Sequence, residues 1–170
     1  LPPQASNVGT ALSLATQQTQ TSVAEYLESL GAKDNEEQRN EELQKLGPDA
    51  LVDAAEGNDA ALVRELIAAG FEVNHSRYDE KYQTSETALF IAANFGHQEV
   101  VQILIDASAD VNKTETSFGW APLKCAAYNG HLQSVKALVA AKAEVDRADD
   151  FGYTCLNYAT EPMNTNEQTP

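Results

Sequence analysis

TALFIAA at residues 87–93 is the stretch that decides the fold, because the chain returns to it. It reappears as APLKCAA at residues 121–127 and as TCLNYA at residues 154–159, and weaker copies open at Thr10 and Asp49. The five opening positions are separated by 39, 38, 34 and 33 residues. A period of this length is typical of stacked supersecondary units and not of a globule with one central core.

The residues that follow each opening also fit a common pattern. They include GH at 96–97 and 130–131, VVQILI at 100–105 and ADVN at 109–112. In these positions the chain resembles ankyrin repeats, whose pattern runs T-P-L-H-x-A-A, then G-H, V-V-x-x-L-L and G-A-D-V-N. The resemblance covers about residues 8–35 and 45–160. It implies an all-α fold, an elongated and curved ankyrin-repeat solenoid of helix-turn-helix units joined by β-hairpin-like loops.

Each unit is predicted to contain two short helices. Thr87 is a favourable N-cap, and Pro122 lies in a first helical turn, where its missing N–H costs nothing. The second helix is apolar at i, i+1, i+4 and i+5, as in residues 100–105, so its stripe is wide enough to pack on the first helix and on the next unit. We expect stability to come from this stacking, with about 1.5–3 kcal/mol for each buried Leu or Ile.

Three positions depart from the repeat pattern. Gly31 and Gly70 end second helices where a left-handed residue is favoured, but Ser108 and Lys142 fill the equivalent positions. If the geometry is kept, each is expected to cost about 1 kcal/mol. Ala121 replaces the capping Thr, which is expected to cost about 1 kcal/mol as well. These departures weaken single units without changing the predicted fold.

The repeats divide the chain into four predicted segments. They are an ankyrin-like repeat at 1–35, a polar junction at 36–45, repeats two to four with a partial fifth at 46–160, and an irregular tail at 161–170. Residues 34–42 are almost wholly polar, so we expect a flexible junction that leads into a helical stretch near 41–46. Two arrangements stay open: the first repeat stacks continuously on the others, or it closes an earlier array and is only loosely docked.

The carboxyl end of the repeat array is expected to be open. Residues 154–160 begin a fifth unit, and Pro162 then stops its helix. Without a second helix in that unit, one apolar face of the fourth repeat is poorly covered. Truncation of a longer protein and weak self-association through this face are both compatible with the sequence.

Aromatic residues are concentrated where the resemblance implies a partner-binding surface, on the hairpin tips and the exposed side of each first helix. Eight of the 12 aromatic residues fall there. Trp and Tyr dominate binding hot spots because they bury large areas at little entropic cost. The candidate partner-binding residues are Tyr78, Tyr82, Asn94, Phe95, Phe118, Trp120, Tyr128, Asn129, Phe151 and Tyr153. For any one of them, the alternative is packing that merely stiffens neighbouring hairpins.

An insert at residues 75–86 makes one hairpin about five residues longer than the standard repeat allows. It is charged and aromatic, which is typical of loops that determine specificity, although a neutral surface insertion explains it equally well. Asp53 lies where the pattern has an apolar residue, so that side of the second unit is expected to face water.

The net charge of −15 is spread along the chain. Without a basic stripe, direct nucleic-acid binding is not expected. A basic protein partner would gain electrostatic steering, although solubility alone explains the acidity equally well. There is no run of 18 apolar residues and no signal peptide, so we expect no membrane association and a cytoplasmic or nuclear location. Cys125 and Cys155 occupy different slots of the repeat, which favours free thiols in a reducing compartment.

No catalytic or metal-binding pattern is apparent. His97 and His131 fill the G-H slot, where the resemblance implies a hydrogen-bonding role at the helix start. The adjacent carboxylates at 79–80 and 149–150 are expected to be solvated hairpin charges. The chain has no Gly-rich phosphate loop, no nucleophile–base pair and no Cys/His cluster. We therefore expect no cofactor, no metal and no enzymatic activity.

The sequence predicts a protein–protein interaction module or scaffold that presents hairpin tips and a concave helical groove to a protein partner. Two alternatives stay open. One is a structural spacer within a larger multidomain protein, and the other is a regulatory inhibitor of an enzyme.

Overall fold

The computed structural model describes residues 35–81, 83–115 and 117–160. The chain divides into two units, Leu1–Glu42 and Leu43–Pro170. The predicted first repeat, the predicted tail at 161–170, Gly31 and Tyr82 lie outside the described residues.

Pairs of short helices alternate with loops along the described part of the chain, as the repeats predict. The elements are α1 (Asn35–Gln44), α2 (Ala50–Glu56), α3 (Ala60–Ala68), β1 (Ser76–Asp79), β2 (Thr84–Thr87), α4 (Ala88–Phe95), α5 (Gln98–Asp106), α6 (Pro122–Tyr128), α7 (Leu132–Ala140) and α8 (Cys155–Thr160). The predicted fold class, helix-turn-helix units joined by hairpin-like loops, is confirmed. Helix α8 is the first helix of the fifth repeat.

Residues 35–42, which lie in the expected flexible junction, are instead helical, and the helical stretch expected near 41–46 overlaps the end of the same helix. Helix α1 runs from Asn35 to Gln44. Its sequence lacks an apolar stripe, but Glu, Gln and Arg are strong helix formers. Glu36 and Glu37 also lie in the first turn, where carboxylates interact favourably with the helix dipole. Near the end of the helix, Leu43 is buried in the hydrophobic core.

Within the second unit the helices pack in two rows. The first helices α2, α4, α6 and α8 each contact the next one, and the second helices α3, α5 and α7 do the same. Ala92 and Ala126 are fully buried, so small side chains separate the first helices. Leu66, Leu104 and Leu138 occupy the same position in successive second helices and are also fully buried. The core is therefore a continuous layer that runs from repeat to repeat.

Two helix starts in this layer share one backbone geometry but differ in capping. Thr87 has φ −89° and ψ 161°, and its side chain accepts a hydrogen bond from the Phe90 N–H at 3.1 Å. Ala121 has φ −87° and ψ 161° but makes no side-chain cap. The expected loss of a cap at Ala121 is confirmed. Its cause is the missing side-chain oxygen, because the backbone geometry is the same as at Thr87.

The left-handed geometry that ends the second helices is kept where the sequence departs from glycine. Gly70 has a φ of +84°, Ser108 of 64° and Lys142 of 66°. Ser108 and Lys142 are both exposed, so nothing but the backbone requirement constrains their side chains. Each therefore carries the conformational cost of a side chain in the left-handed region.

The two G-H histidines lie at the starts of their second helices and form hydrogen bonds, as expected, and these bonds connect neighbouring repeats. Neither side chain caps its own helix. Instead, His97 Nε2 lies 3.2 Å from the carbonyl of Glu56, and His131 Nε2 lies 3.0 Å from the carbonyl of Asn94. A carbonyl only accepts, so Nε2 carries the proton in both rings. The bonds join each second helix to the first helix of the preceding repeat.

The hairpins are joined in the same way. The Asn74 side chain accepts a hydrogen bond from the Asp110 N–H at 2.8 Å, and the Asn112 side chain accepts one from the Glu144 N–H at 2.9 Å. These bonds satisfy the loop backbone without a sheet that runs across the repeats. They fix the row of hairpin tips relative to one another.

Candidate protein-interaction surface

Six of the candidate aromatic side chains are exposed at the hairpin tips and on the first helices. Their exposed fractions are 60% for Tyr78, 51% for Phe95, 50% for Phe118, 44% for Tyr128, 61% for Phe151 and 49% for Tyr153. Asn129 is exposed as well, and Asn94 is half-buried. Contiguous exposed aromatic rings are uncommon on a protein surface, so these residues are the candidate interaction surface.

Phe118 and Phe151 form a tilted ring pair, which we call the tip pair. Their ring centroids are 5.9 Å apart and the ring planes meet at 32°. The residues belong to the loops before α6 and before α8, so the structure brings together two predicted residues that are 33 positions apart. The pair offers ring faces and edges to solvent at the end of adjacent hairpins.

Trp120 differs from the other candidates because its ring is half-buried and packs against the core. It contacts Tyr128, at 5.3 Å between centroids, and Tyr158, at 5.0 Å. Tyr153 also contacts Tyr158, at 5.7 Å. We call Trp120, Tyr128, Tyr153 and Tyr158 the groove cluster. Trp120 supports this cluster from below, so a substitution there would disturb packing as well as the surface.

A buried carboxylate shapes the loop that carries Phe118. Glu115 is 4% exposed. Its Oε1 accepts hydrogen bonds from the N–H groups of Phe118, at 2.7 Å, and of Trp120, at 3.1 Å. Such charge-assisted bonds to two amides of the same loop hold the backbone in one conformation.

Asp149 performs the same role in the next loop. Its Oδ1 accepts hydrogen bonds from the N–H groups of Phe151, at 3.0 Å, and of Tyr153, at 2.9 Å. The expectation that the carboxylates at 149–150 are both solvated is therefore wrong for Asp149, whose side chain is fully buried. Each residue of the tip pair thus lies in a loop whose backbone is bound by a buried carboxylate, Glu115 in one loop and Asp149 in the other.

The charge of Asp149 is compensated by Lys124 from the preceding repeat. The Nζ atom of Lys124 lies 3.2 Å from Asp149 Oδ2, and the lysine side chain is only 2% exposed. Lys124 also donates to the carbonyl of Tyr153, and the Tyr158 hydroxyl donates to Asp149 Oδ2 at 2.8 Å. The pair therefore ties the end of the fifth hairpin to helix α6.

The pKa values of this network follow from its contacts. Burial alone would raise the pKa of Asp149, but the hydrogen bonds from Tyr153, Tyr158 and Lys124, together with the lysine charge, hold it below its ordinary value. Burial raises the pKa of Tyr158, and its bond to Asp149 raises it further. At neutral pH, Asp149 is thus a carboxylate and Tyr158 a neutral donor.

Sequence reasoning missed this network, although one signal was present. Lys124 lies between Leu123 and Cys125 on a helix whose other side chains are mostly buried. A lysine in such a position requires a buried acceptor, because an unpaired buried charge is very costly. The acceptor lies 25 residues further on and could not be identified from local spacing.

The contact between the first helices of the third and fourth repeats includes polar side chains. Asn129 Nδ2 donates to Asn94 Oδ1 at 2.9 Å and to the carbonyl of Cys125 at 3.0 Å. Phe95 stacks on His97 at 5.7 Å between centroids. The two asparagines therefore meet, with exposed aromatic rings on either side of them.

The insert forms the hairpin β1–β2, and its first strand is fixed to helix α2. The strands are antiparallel, with Ser76 opposite Thr87. Arg77 binds Asp53 at 2.6 Å and Glu56 at 2.8 Å. Asp53 is exposed, as expected, but it also provides a charged contact for the insert. Tyr78, the next residue, is held at the exposed surface.

The cysteines and the potential metal ligands among the described residues form no cluster. Cys125 and Cys155 are buried free thiols, and burial raises the pKa of both. Across residues 35–81, 83–115 and 117–160, no group of His, Cys, Asp and Glu side chains is arranged to hold a metal ion. None of the helices in these ranges combines the length and the apolar character needed to cross a membrane.

Comparison with known proteins places these repeats in a large family. The family model described as "Ankyrin repeats (3 copies)" matches residues 12–115, 51–149 and 109–166. Two similar proteins are the ankyrin repeat and KH domain-containing protein mask-1 of Caenorhabditis elegans and the ankyrin repeat and SAM domain-containing protein 6 of Mus musculus. The first is 35% identical over 85% of this chain, and the second 32% identical over 87%.

The glycerophosphocholine phosphodiesterase GDE1 of Candida albicans is also similar, at 33% identity over 66% of this chain. The chain spans only 10% of that protein, 5% of mask-1 and 16% of the mouse protein. The activities and partners of these much longer proteins therefore do not transfer to it. With the stacked helix pairs, the matched repeats show that this chain belongs to the ankyrin-repeat family.

Proposed function

We propose that the chain is a non-enzymatic protein-interaction module that binds a protein partner through its hairpin tips and the groove of its first helices. The observation that supports this most strongly is the exposure of the tip pair beside a core that is complete without it. The two rings of the tip pair keep half or more of their surface in water, so burial in the core does not explain their presence.

The rigidity of the loops supports the same proposal. Glu115 and Asp149 fix the backbones that carry the tip pair, so little conformational freedom would be lost on binding. Tyr153 and Tyr128 extend the surface from the tip pair into the groove, and Trp120 supports them from beneath. A pre-ordered aromatic surface of this kind is typical of binding hot spots.

The remaining candidates extend the proposed surface towards the third repeat. They are Tyr78, Asn94, Phe95 and Asn129. The same proposal places the chain in the cytoplasm or nucleus, because both of its cysteines are free thiols and a reducing compartment preserves them.

The proposal is tested by affinity capture from lysate with three forms of the protein. The tip variant carries Phe118→Ala, Phe151→Ala and Tyr153→Ala. The control variant carries Leu132→Ala and Val139→Ala, which remove exposed apolar side chains from helix α7 instead. The wild type and the control should retain the same partner, and the tip variant should lose it.

Two results would count against the proposal. If all three forms retain the same proteins, the tip surface is passive and the spacer interpretation is favoured. If the control loses the partner and the tip variant keeps it, binding occurs on the second helices and not on the hairpin side.

A further inference from the structure

We propose that the tip pair receives an arginine side chain of the partner protein, with the Asp150 carboxylate as its counter-ion. This inference rests on the proposed function, since it names the chemistry of the partner at the same surface. It assigns a charge and a shape to the segment that binds between the fourth and fifth hairpins.

The rings of the tip pair are suited to a planar cation. Phe118 and Phe151 are each exposed over at least half of their surface, and their planes are tilted by 32° with centroids 5.9 Å apart. A guanidinium group stacks on aromatic faces, and its weak hydration makes the transfer from water less costly than for an ammonium group. Arginine therefore fits this surface better than lysine.

Asp150 places a carboxylate beside the rings. Its N–H donates to the carbonyl of Phe118 at 3.2 Å, which joins the two tip loops. Its Oδ1 lies over Gly119, where an added Cβ would be 2.8 Å away. Gly119 also has a φ of +70°, so glycine there permits both the turn and the close approach of the carboxylate.

The nearby lysine and arginine side chains already bind other acceptors. Lys124 is buried against Asp149, and Arg147 donates to the carbonyl of Asn112 at 3.2 Å and lies 3.6 Å from Glu144. Within the part of the chain that the structure describes, no cation pairs with the Asp150 carboxylate. The acid at the tip is therefore available to a cation supplied by a partner.

The charge of the whole chain favours the same occupant. A net charge of −15 attracts a cationic segment and repels acidic peptides and phosphates. Long-range attraction is not selective, but the ring pair and Asp150 together provide a local geometry that a guanidinium group matches. An acidic or purely apolar segment would leave Asp150 desolvated without a counter-charge.

The probe for this inference is the peptide acetyl-Gly-Ser-Arg-Gly-Arg-Ser-Gly-amide, compared with the same peptide carrying citrulline in place of arginine. Citrulline keeps the planar shape but removes the charge. Titration into ¹⁵N-labelled protein should shift the amides of Phe118, Gly119 and Phe151 saturably. The citrulline peptide should bind at least about tenfold more weakly, because it lacks cation–π attraction and the ion pair.

Two variants separate local recognition from overall charge. Asp150→Asn should weaken the arginine peptide about threefold to tenfold, because the ion pair at the tip is lost. Asp106→Asn removes the same charge from the end of helix α5 and should change the affinity by less than about twofold, because a distant exposed charge is screened.

The other outcomes would overturn the inference, and each would show which part of it is wrong. Equal binding of the citrulline peptide excludes recognition of the charge and leaves the proposed function intact. Shifts centred away from the tip pair, or no saturable shift at all, exclude arginine binding at this surface. The proposed function fails separately, if the tip variant captures the same partner as the wild type.

Discussion

Replacing Lys124 by methionine removes the charge of a buried side chain but keeps most of its length. The pair with Asp149 is almost completely enclosed, with Lys124 2% exposed and the Asp149 side chain 0%. Removing one partner of a buried pair costs about 3–5 kcal/mol, because the other charge stays buried without compensation. Asp149 keeps its bonds to Phe151, Tyr153 and Tyr158, so we expect a loss near the lower limit, about 3 kcal/mol.

The assay is urea unfolding followed by far-ultraviolet circular dichroism, on Lys124→Met, Asp149→Asn and the double variant. Because the two groups share one interaction, the double variant should lose at least about 1.5 kcal/mol less than the sum of the single losses. A loss below about 1 kcal/mol for Lys124→Met would refute the reasoning, since it would mean that water reaches the pair.

The same pair gives the protein a defined acid sensitivity. The pKa of Asp149 is lower in the folded chain than its ordinary value, so the carboxylate contributes stability at neutral pH. That contribution is fully present above the unfolded-state pKa, about 3.9, and is lost as the pH falls through the folded-state value. Below about pH 4, the wild type should therefore lose more stability than Asp149→Asn. Parallel stability curves for the two proteins would contradict this assignment.

Four further substitutions should stabilise the chain, and the midpoint of urea unfolding measures each. Ala121→Thr restores a cap on a backbone that already has the capping geometry and should add about 1 kcal/mol; an unchanged midpoint would mean that the hydroxyl does not reach the helix amide. Ser108→Gly and Lys142→Gly should add about 0.5–1 kcal/mol each, because both residues are left-handed; destabilisation by either would contradict the strain. Ser134→Val should add about 1–2 kcal/mol, because the buried Ser134 hydroxyl has no hydrogen-bond partner among the described residues; a loss would indicate that valine is too large there.

The parts of the fold that the sequence predicts are those set by local pattern. Thr87 and Pro122 predict helix starts, because N-capping and the preference for proline both depend only on the first turn of the helix. Ser108 and Lys142 were recognised as departures because the repeats align them with Gly70. The exposure of Phe118, Phe151 and Tyr153 agrees with the slots that the family pattern assigns to the surface.

The parts that the sequence did not predict depend on contacts between repeats. From the sequence alone, Asp149 is expected to be a solvated hairpin acid. Stacking of the repeats instead buries it against Lys124. His97 and His131 begin their helices as predicted, but the carbonyls that their rings bind lie more than 35 positions away and were not predicted. Only the end of helix α1 is predicted from the sequence, since the helical propensity of its first part is not accompanied by an apolar stripe.

The central claim is that the repeats stack without the tip aromatic residues, which are left free for a partner. Equilibrium unfolding of the tip variant, Phe118→Ala with Phe151→Ala and Tyr153→Ala, tests it most directly. The variant loses two ring contacts, Phe118 with Phe151 and Tyr153 with Tyr158, which predicts a decrease of no more than about 3 kcal/mol in the free energy of unfolding. A decrease of about 6 kcal/mol or more would show that these rings belong to the core, because truncating a buried phenylalanine costs about 3–5 kcal/mol.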